Sequence, residues 1–297
     1  MSYTCISHEP FAVGESPRWN EKQQILMFTD VPMQKLHIFD PKTGSFSELP
    51  AGKNVSGFCF NKDGRIVCAT HTGLYLLNMQ GDLEFIANEA EGNFLKCNDC
   101  TADAYGRFIF GTSFYDPGLR HGDRGNLYVM DPDRTIRKVD EGFVHANGMA
   151  FSPDGKLFYF TDCAARTIYV YEYDLKKGVP EHRKVFAKIP LYQGIPDGMA
   201  VDRDGYVWSA QWYGGVLVRY DPAGNVDFVI RTPAQQTSAL AFGGSDLCDI
   251  YVTSAGRWAY LEDTPTHYEY DVLEPGGGLY KFNYGIAGCG TKYADID

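Results

Sequence analysis

The sequence predicts an all-β fold, a six-bladed β-propeller of four-stranded antiparallel blades closed by the N-terminal strand. Three observations predict it. One pattern recurs along the 297 residues: a polar turn, often carrying Asp-Gly or Tyr-Gly, leads into a short apolar run. Gly64 leads into IVCA, Gly106 into FIFG, Gly155 into LFYF and Gly205 into VWSA, while ILMF and IYVT follow turns without the glycine. The runs start at Ile25, Ile66, Phe108, Leu157, Val207 and Ile250, five steps that average 45 residues. That is the period of a four-stranded propeller blade. Finally, stretches such as LYVM and VLVRY alternate with period two, and none shows a capped 3.6-residue stripe, so almost no helix is expected.

Taken in order, residues 1–12 contain the short stretch YTCIS, expected to pair with the blade holding GLYKFN (278–283) and so close the ring. From residue 13 each blade reads as two hairpins. GESPRWNEKQQILMFTD is an inner one and KLHIFDPKTGSFSELP an outer one, turning at Asp40-Pro41 and Thr43-Gly44. Outer equivalents are GLYLLNMQGDLEFIA, GNLYVMDPDRTIRKV, TIYVYEYDLKKGVPEHRKVF and GVLVRYDPAGNVDFVI. Two insertions, 113–124 and 256–277, follow second strands of inner hairpins and are expected to rim a polar ligand. Six blades consume nearly the whole chain, so residues 1–297 read as one domain.

Apolar residues make up 44% of the chain and aromatic residues 14%, enough for a large core. The net charge of −11 argues against a nucleic-acid partner and suits a protein that holds a cation. No stretch approaches the ~18 apolar residues of a membrane span, and no secretory signal is evident. The eight cysteines, mostly in or beside strands, are expected as buried, reduced thiols in a cytoplasmic protein.

Ten residues before each run stand Glu15, Ser56, Asn98, Asn147, Asp197 and Leu240. Innermost strands face the channel, so equivalent positions form a ring about its axis. Glu15, Asn98, Asn147 and Asp197 supply two carboxylates and two amide oxygens, the donors of a divalent cation such as Ca²⁺, Mg²⁺, Mn²⁺, Zn²⁺ or Fe(II). Such a cation polarises a carbonyl and acidifies water, and a carboxylate beside it moves protons. Singly, Asn-Gly and Asp-Gly are ordinary turn formers; four at one offset favour a site. Cys97 to Cys100 is a lone CxxC without a partner pair. His145 reads as a loop or packing residue, and His121 lies in the first insertion. No GxSxG marks a serine esterase, and no glycine-rich loop opening a helix marks a nucleotide site.

GESPRW, HANGMAFSPDGKLFYFTD, IPDGMAVDRDGYVWSAQWYGG and LAFGGSDLCDIYVTSA resemble the senescence marker protein (regucalcin) and gluconolactonase family, over about residues 13–283. The resemblance implies a six-bladed propeller with a divalent cation in its channel, and sugar-lactone hydrolysis. It implies metal ligands at Glu15, Asn147 and Asp197, Asp197 as the general base, and Asn98 as an active-site residue contacting water or substrate. Lys96 stands where family members often carry arginine, and His121 near a family glutamate that contacts sugar. Lysine lacks the bidentate fork of arginine. The expectation is therefore a metal-dependent lactonase, monomer or homodimer, acting on an aldonolactone. Lys96, Asn98 and His121 hold sugar hydroxyls, with Tyr115, Trp212 and Tyr213 as walls. A hydrolase of organophosphates or thiolactones and a non-catalytic calcium-binding propeller are the rivals.

Overall fold

The computed structural model describes residues 3–7, 9–113, 124–256 and 276–297. Its strands form six four-stranded antiparallel sheets, each ordered from the axis outward, and one short two-stranded ribbon, Glu89–Ala90 with Asn93–Phe94. The first blade is Gly14–Asn20, Ile25–Asp30, Lys35–Asp40 and Ser45–Pro50. The inner strands of the next four are Val55–Phe60, Cys97–Ala102, Ala146–Phe151 and Ile195–Val201. The sixth blade is Thr237–Gly243, Asp249–Ser254 and Tyr280–Asn283, with Thr4–Cys5 as its outer strand. There Thr4 pairs with Lys281 and Cys5 with Tyr280, the closure expected from YTCIS. Inner strands of adjacent blades pack together, and the sixth packs on the first, which completes the ring. The described residues include one helical turn, Leu191–Gln193, and no helix long and apolar enough to cross a membrane.

Second strands begin at Ile25, Ile66, Phe108, Leu157 and Val207, where the apolar runs begin. Acidic side chains organise the turns before them. Asp202 Oδ1 accepts the backbone N–H groups of Asp204 and Tyr206, both at 3.0 Å. Asp103 Oδ1 does the same for Tyr105 and Arg107 at 2.8 and 2.9 Å. A short carboxylate that satisfies backbone donors fixes the turn that reverses the chain.

The core lies between blades. Trp19 of the first stacks on Tyr251 of the sixth at 5.6 Å, and Trp208 of the fifth meets Phe242 of the sixth edge-on at 5.6 Å. Each is buried. Burying one such ring contributes roughly 1.5–3 kcal/mol, and offset or edge geometry adds about 1. All eight cysteines are free thiols, but only Cys59, Cys68, Cys97 and Cys100 are buried, fewer than the sequence suggested.

The C-terminal tail crosses the end of the ring where the inner hairpins turn. Gly288 N–H bonds to Leu247 O at 2.9 Å and Cys289 N–H to Val201 O at 3.1 Å. Thr291 Oγ1 donates to Trp19 O at 2.8 Å, and Asp295 N–H to Gly106 O at 2.8 Å. Asn61 holds Ile296 by both backbone groups, each bond 2.8 Å. The tail thereby ties the sixth, fifth, first, third and second blades. A cavity of about 110 Å³, lined by Arg18 and Thr291 among others, lies beneath it.

Candidate metal centre and substrate pocket

Every inner strand is kinked near its start. Pairing with the second strand slips between Glu15 and Arg18, Val55 and Gly57, Cys97 and Cys100, Asn147 and Met149, Pro196 and Met199, and Thr237 and Ala239. Each slip is a β-bulge, which frees a residue from the ladder and re-aims its side chain. The residues singled out by the ten-residue offset sit in five of these bulges. The Asn-Gly and Asp-Gly pairs at 147–148 and 197–198 are thus bulges inside strands, not turns.

In the sixth blade the offset fails. Leu240 is buried in the core, and the bulge residue is Ser238. The segment after this bulge is one residue longer, and pairing begins at Asp249, one residue before the apolar run.

The bulge residues do two jobs. Ser238 Oγ donates to Gly14 O at 2.6 Å, Ser56 Oγ to Cys97 O at 3.0 Å, and Asn98 Nδ2 to Ala146 O at 2.8 Å. In each case the acceptor immediately precedes the next blade's bulge residue, so these three side chains stitch neighbouring blades. Among the described residues Glu15, Asn147 and Asp197 make no such stitch. Their backbone approach is set from outside: Asp30 accepts Ala12 and Val13 N–H, both at 3.0 Å, and Asp162 accepts Val144 and His145 N–H at 3.2 and 3.1 Å.

Glu15, Asn98, Asn147, Asp197 and Lys96 line one pocket of about 520 Å³ at the end of the ring where the inner strands begin. Trp212 also lines it, and its buried Nε1 has no partner among the described residues. Tyr213 is buried against Trp212 at 5.9 Å and is not among the lining residues, a correction to its expected role as a wall. His121 and Tyr115 lie outside the described residues. The pocket adds Asp99, His71, His145, Ser113, Cys163 and Arg166. Asp99 was missed because a bulge brings two consecutive residues, Asn98 and Asp99, to the same place. His145, expected to be a loop or packing residue, is a pocket residue whose Nδ1 bonds Ser113 Oγ and whose Nε2 lies 3.4 Å from Asn98 Nδ2.

Burial and mutual repulsion govern the carboxylates. Burial, then the charge of Asp99, pushes Glu15 up to about 8. Burial, then Glu15 and Asp99, raises Asp197 well above the ordinary range. Burial raises Asp99, with Arg18 opposing. Asp197 Oδ1 is buried without a hydrogen-bond partner among the described residues. Three crowded carboxyls and an orphaned oxygen fit a divalent cation, which supplies the missing countercharge. Among the described residues no three His, Cys, Asp or Glu side chains form a metal-holding set by themselves. The donors that fit are Glu15, Asp197 and the amide of Asn147.

Residues 13–256 match the family model described as the SMP-30/gluconolactonase/LRE-like region. The chain belongs to this family. A family relative, the pentonolactonase XacC of Haloferax volcanii, is 34% identical over 86% of this chain and 86% of its own. Regucalcin of Xenopus laevis is 31% identical over 97% of this chain and 95% of its own. Among solved structures, a luciferin-regenerating enzyme superposes with a TM-score of 0.89 at 26% identity, covering 99% of both chains.

Proposed function

We propose that this protein hydrolyses a sugar lactone to the aldonic acid, with a divalent cation held by Glu15, Asn147 and Asp197. The observation that carries the reading is the partnerless Asp197 Oδ1 among three carboxyls at the base of a 520 Å³ pocket. Family membership and a lactonase relative support it. Bound there, a Ca²⁺, Mg²⁺, Mn²⁺, Zn²⁺ or Fe(II) ion polarises the lactone carbonyl and lowers the pKa of water.

The chain's own groups do the rest. The Asp197 carboxylate accepts a proton from the attacking water. Water oxygen bonds to the carbonyl carbon, the ring C–O bond breaks, and the proton passes to the departing ring oxygen. Asn98 spends its Nδ2 on Ala146 O, so its Oδ1 is left to accept from a sugar hydroxyl. Lys96 and Trp212 Nε1 are donors for the sugar's oxygens. Burial of the carboxyls lowers the local polarity and strengthens the contacts made beside them.

The test is proton release across a panel of aldonolactones, using chelated and cation-restored protein. Turnover that vanishes on chelation and returns with one divalent cation supports the reading. Turnover indifferent to confirmed metal loss, or no turnover on any lactone, overturns it.

A further inference from the structure

The pocket has two electrostatic halves. Glu15, Asp99 and Asp197 make the negative one. Lys96 and His71 line it too, close enough that the lysine's charge acts on the histidine. Arg166 lines the pocket as well, with its guanidinium bonded to Gly194 O. Among the described residues no carboxylate stands within ion-pair distance of Lys96 or Arg166. By contrast, the half-buried Arg107 is paired with Asp103 and Asp131, and the buried Arg219 with Asp202 and Asp227. A cation half-buried in a pocket without a counter-ion is poised for an anion brought by the ligand.

We propose that the preferred lactone carries an anionic group remote from its carbonyl (carboxylate, sulfonate or phosphate), and that Lys96 is the residue that selects it. This rests on the lactone reading and narrows it. The negative half of the site takes the carbonyl end through the cation, while Lys96 takes the acidic end. A neutral sugar hydroxyl leaves the ammonium charge uncompensated in a partly desolvated wall. An acidic substituent compensates it. In a chain of net charge −11, this positive wall also opposes the general repulsion of anions.

The experiment compares kcat/KM for glucono-1,5-lactone with a glucarolactone, a 6-phosphogluconolactone and a 6-sulfonated lactone, in wild type, Lys96→Gln and Lys96→Arg. Wild type is expected to favour at least one anionic lactone by about tenfold, equivalent to ~1.4 kcal/mol. Lys96→Gln abolishes the preference through KM, costing the anionic lactones about tenfold more than the neutral one, and Lys96→Arg retains it. Which anionic lactone is best distinguishes carboxylate, sulfonate and phosphate. Titration calorimetry of cation-loaded protein with glucarate and gluconate gives a readout without turnover, with glucarate binding tighter in wild type and losing that advantage in Lys96→Gln. A neutral lactone hydrolysed as well as every anionic one, or a Lys96→Gln loss equal on both classes, overturns the proposal while leaving lactone hydrolysis standing. No hydrolysis of any lactone overturns both.

Discussion

The backbone carbonyl oxygen of Asp197 lies 2.3 Å from where a β-carbon on Gly148 would stand. The fourth and fifth inner strands meet at this point, and only a residue without a side chain lets the Asn147 and Asp197 bulges come together. Gly148→Ala is expected to cost about 2 kcal/mol, since the obstacle is backbone and cannot turn aside. Activity falls further than stability, because the clash moves two donors at once. Gly44, whose added β-carbon would meet nothing within 4 Å, is the control. With φ at +73°, Gly44→Ala loses only about 1 kcal/mol to strain and leaves activity intact. Thermal melts and lactone turnover on the two variants check this.

Asp197→Asn keeps the side chain's shape and removes its charge and basicity. Turnover is expected to drop by roughly 10³ with the circular dichroism spectrum unchanged. A variant within tenfold of wild type removes Asp197 from the role of base.

Removing the cation has a pH signature. Glu15 in the folded chain holds its proton up to about 8, against an ordinary carboxyl value of 4.5, and Asp99 and Asp197 shift the same way. A carboxyl whose folded-state pKa is raised favours folding fully below its unfolded value and loses that contribution as pH climbs toward the folded one. The cation-free protein is therefore expected to lose stability between about pH 4.5 and 8. An added divalent cation raises the melting temperature more at pH 8 than at pH 5. Glu15→Gln flattens the cation-free slope. Melting scans across that range, with and without chelator, measure both.

Asn61→Ala frees two backbone groups of Ile296 at the opposite end of the ring. Each lost bond to a buried group costs about 1–2 kcal/mol, so the melting temperature falls by several degrees. Turnover at 25 °C stays unchanged, because a six-residue strand puts roughly 20 Å between turn and pocket. Loss of activity without loss of stability contradicts this separation.

The blades and most bulge residues were legible because a repeat writes the same instruction many times. An offset of ten carries Glu15, Asn147 and Asp197 to one axis only if each hairpin has the same length. Where the length changes, at Ser238, counting goes astray. Asp99, Ser113 and Arg166 were illegible for another reason. Asp99 depends on a bulge that brings two adjacent residues to one place, while Ser113 and Arg166 lie at the outer ends of second strands and in the loops beyond, which follow no period. The tail from 284 to 297 bears no motif either. Most of the bonds that hold it to the turns use its backbone groups, which every sequence possesses.

That tail has a consequence for traffic. Gly288 to Ile296 bond across the turns at the end of the ring opposite the pocket, so ligand traffic is expected through the end where the inner strands begin. Lactone and acid are then expected to use the same doorway, where each departing product must clear the path of the next arrival. Accumulated aldonate should therefore slow the enzyme by competing for entry, as congestion at one gate rather than flow through a tunnel.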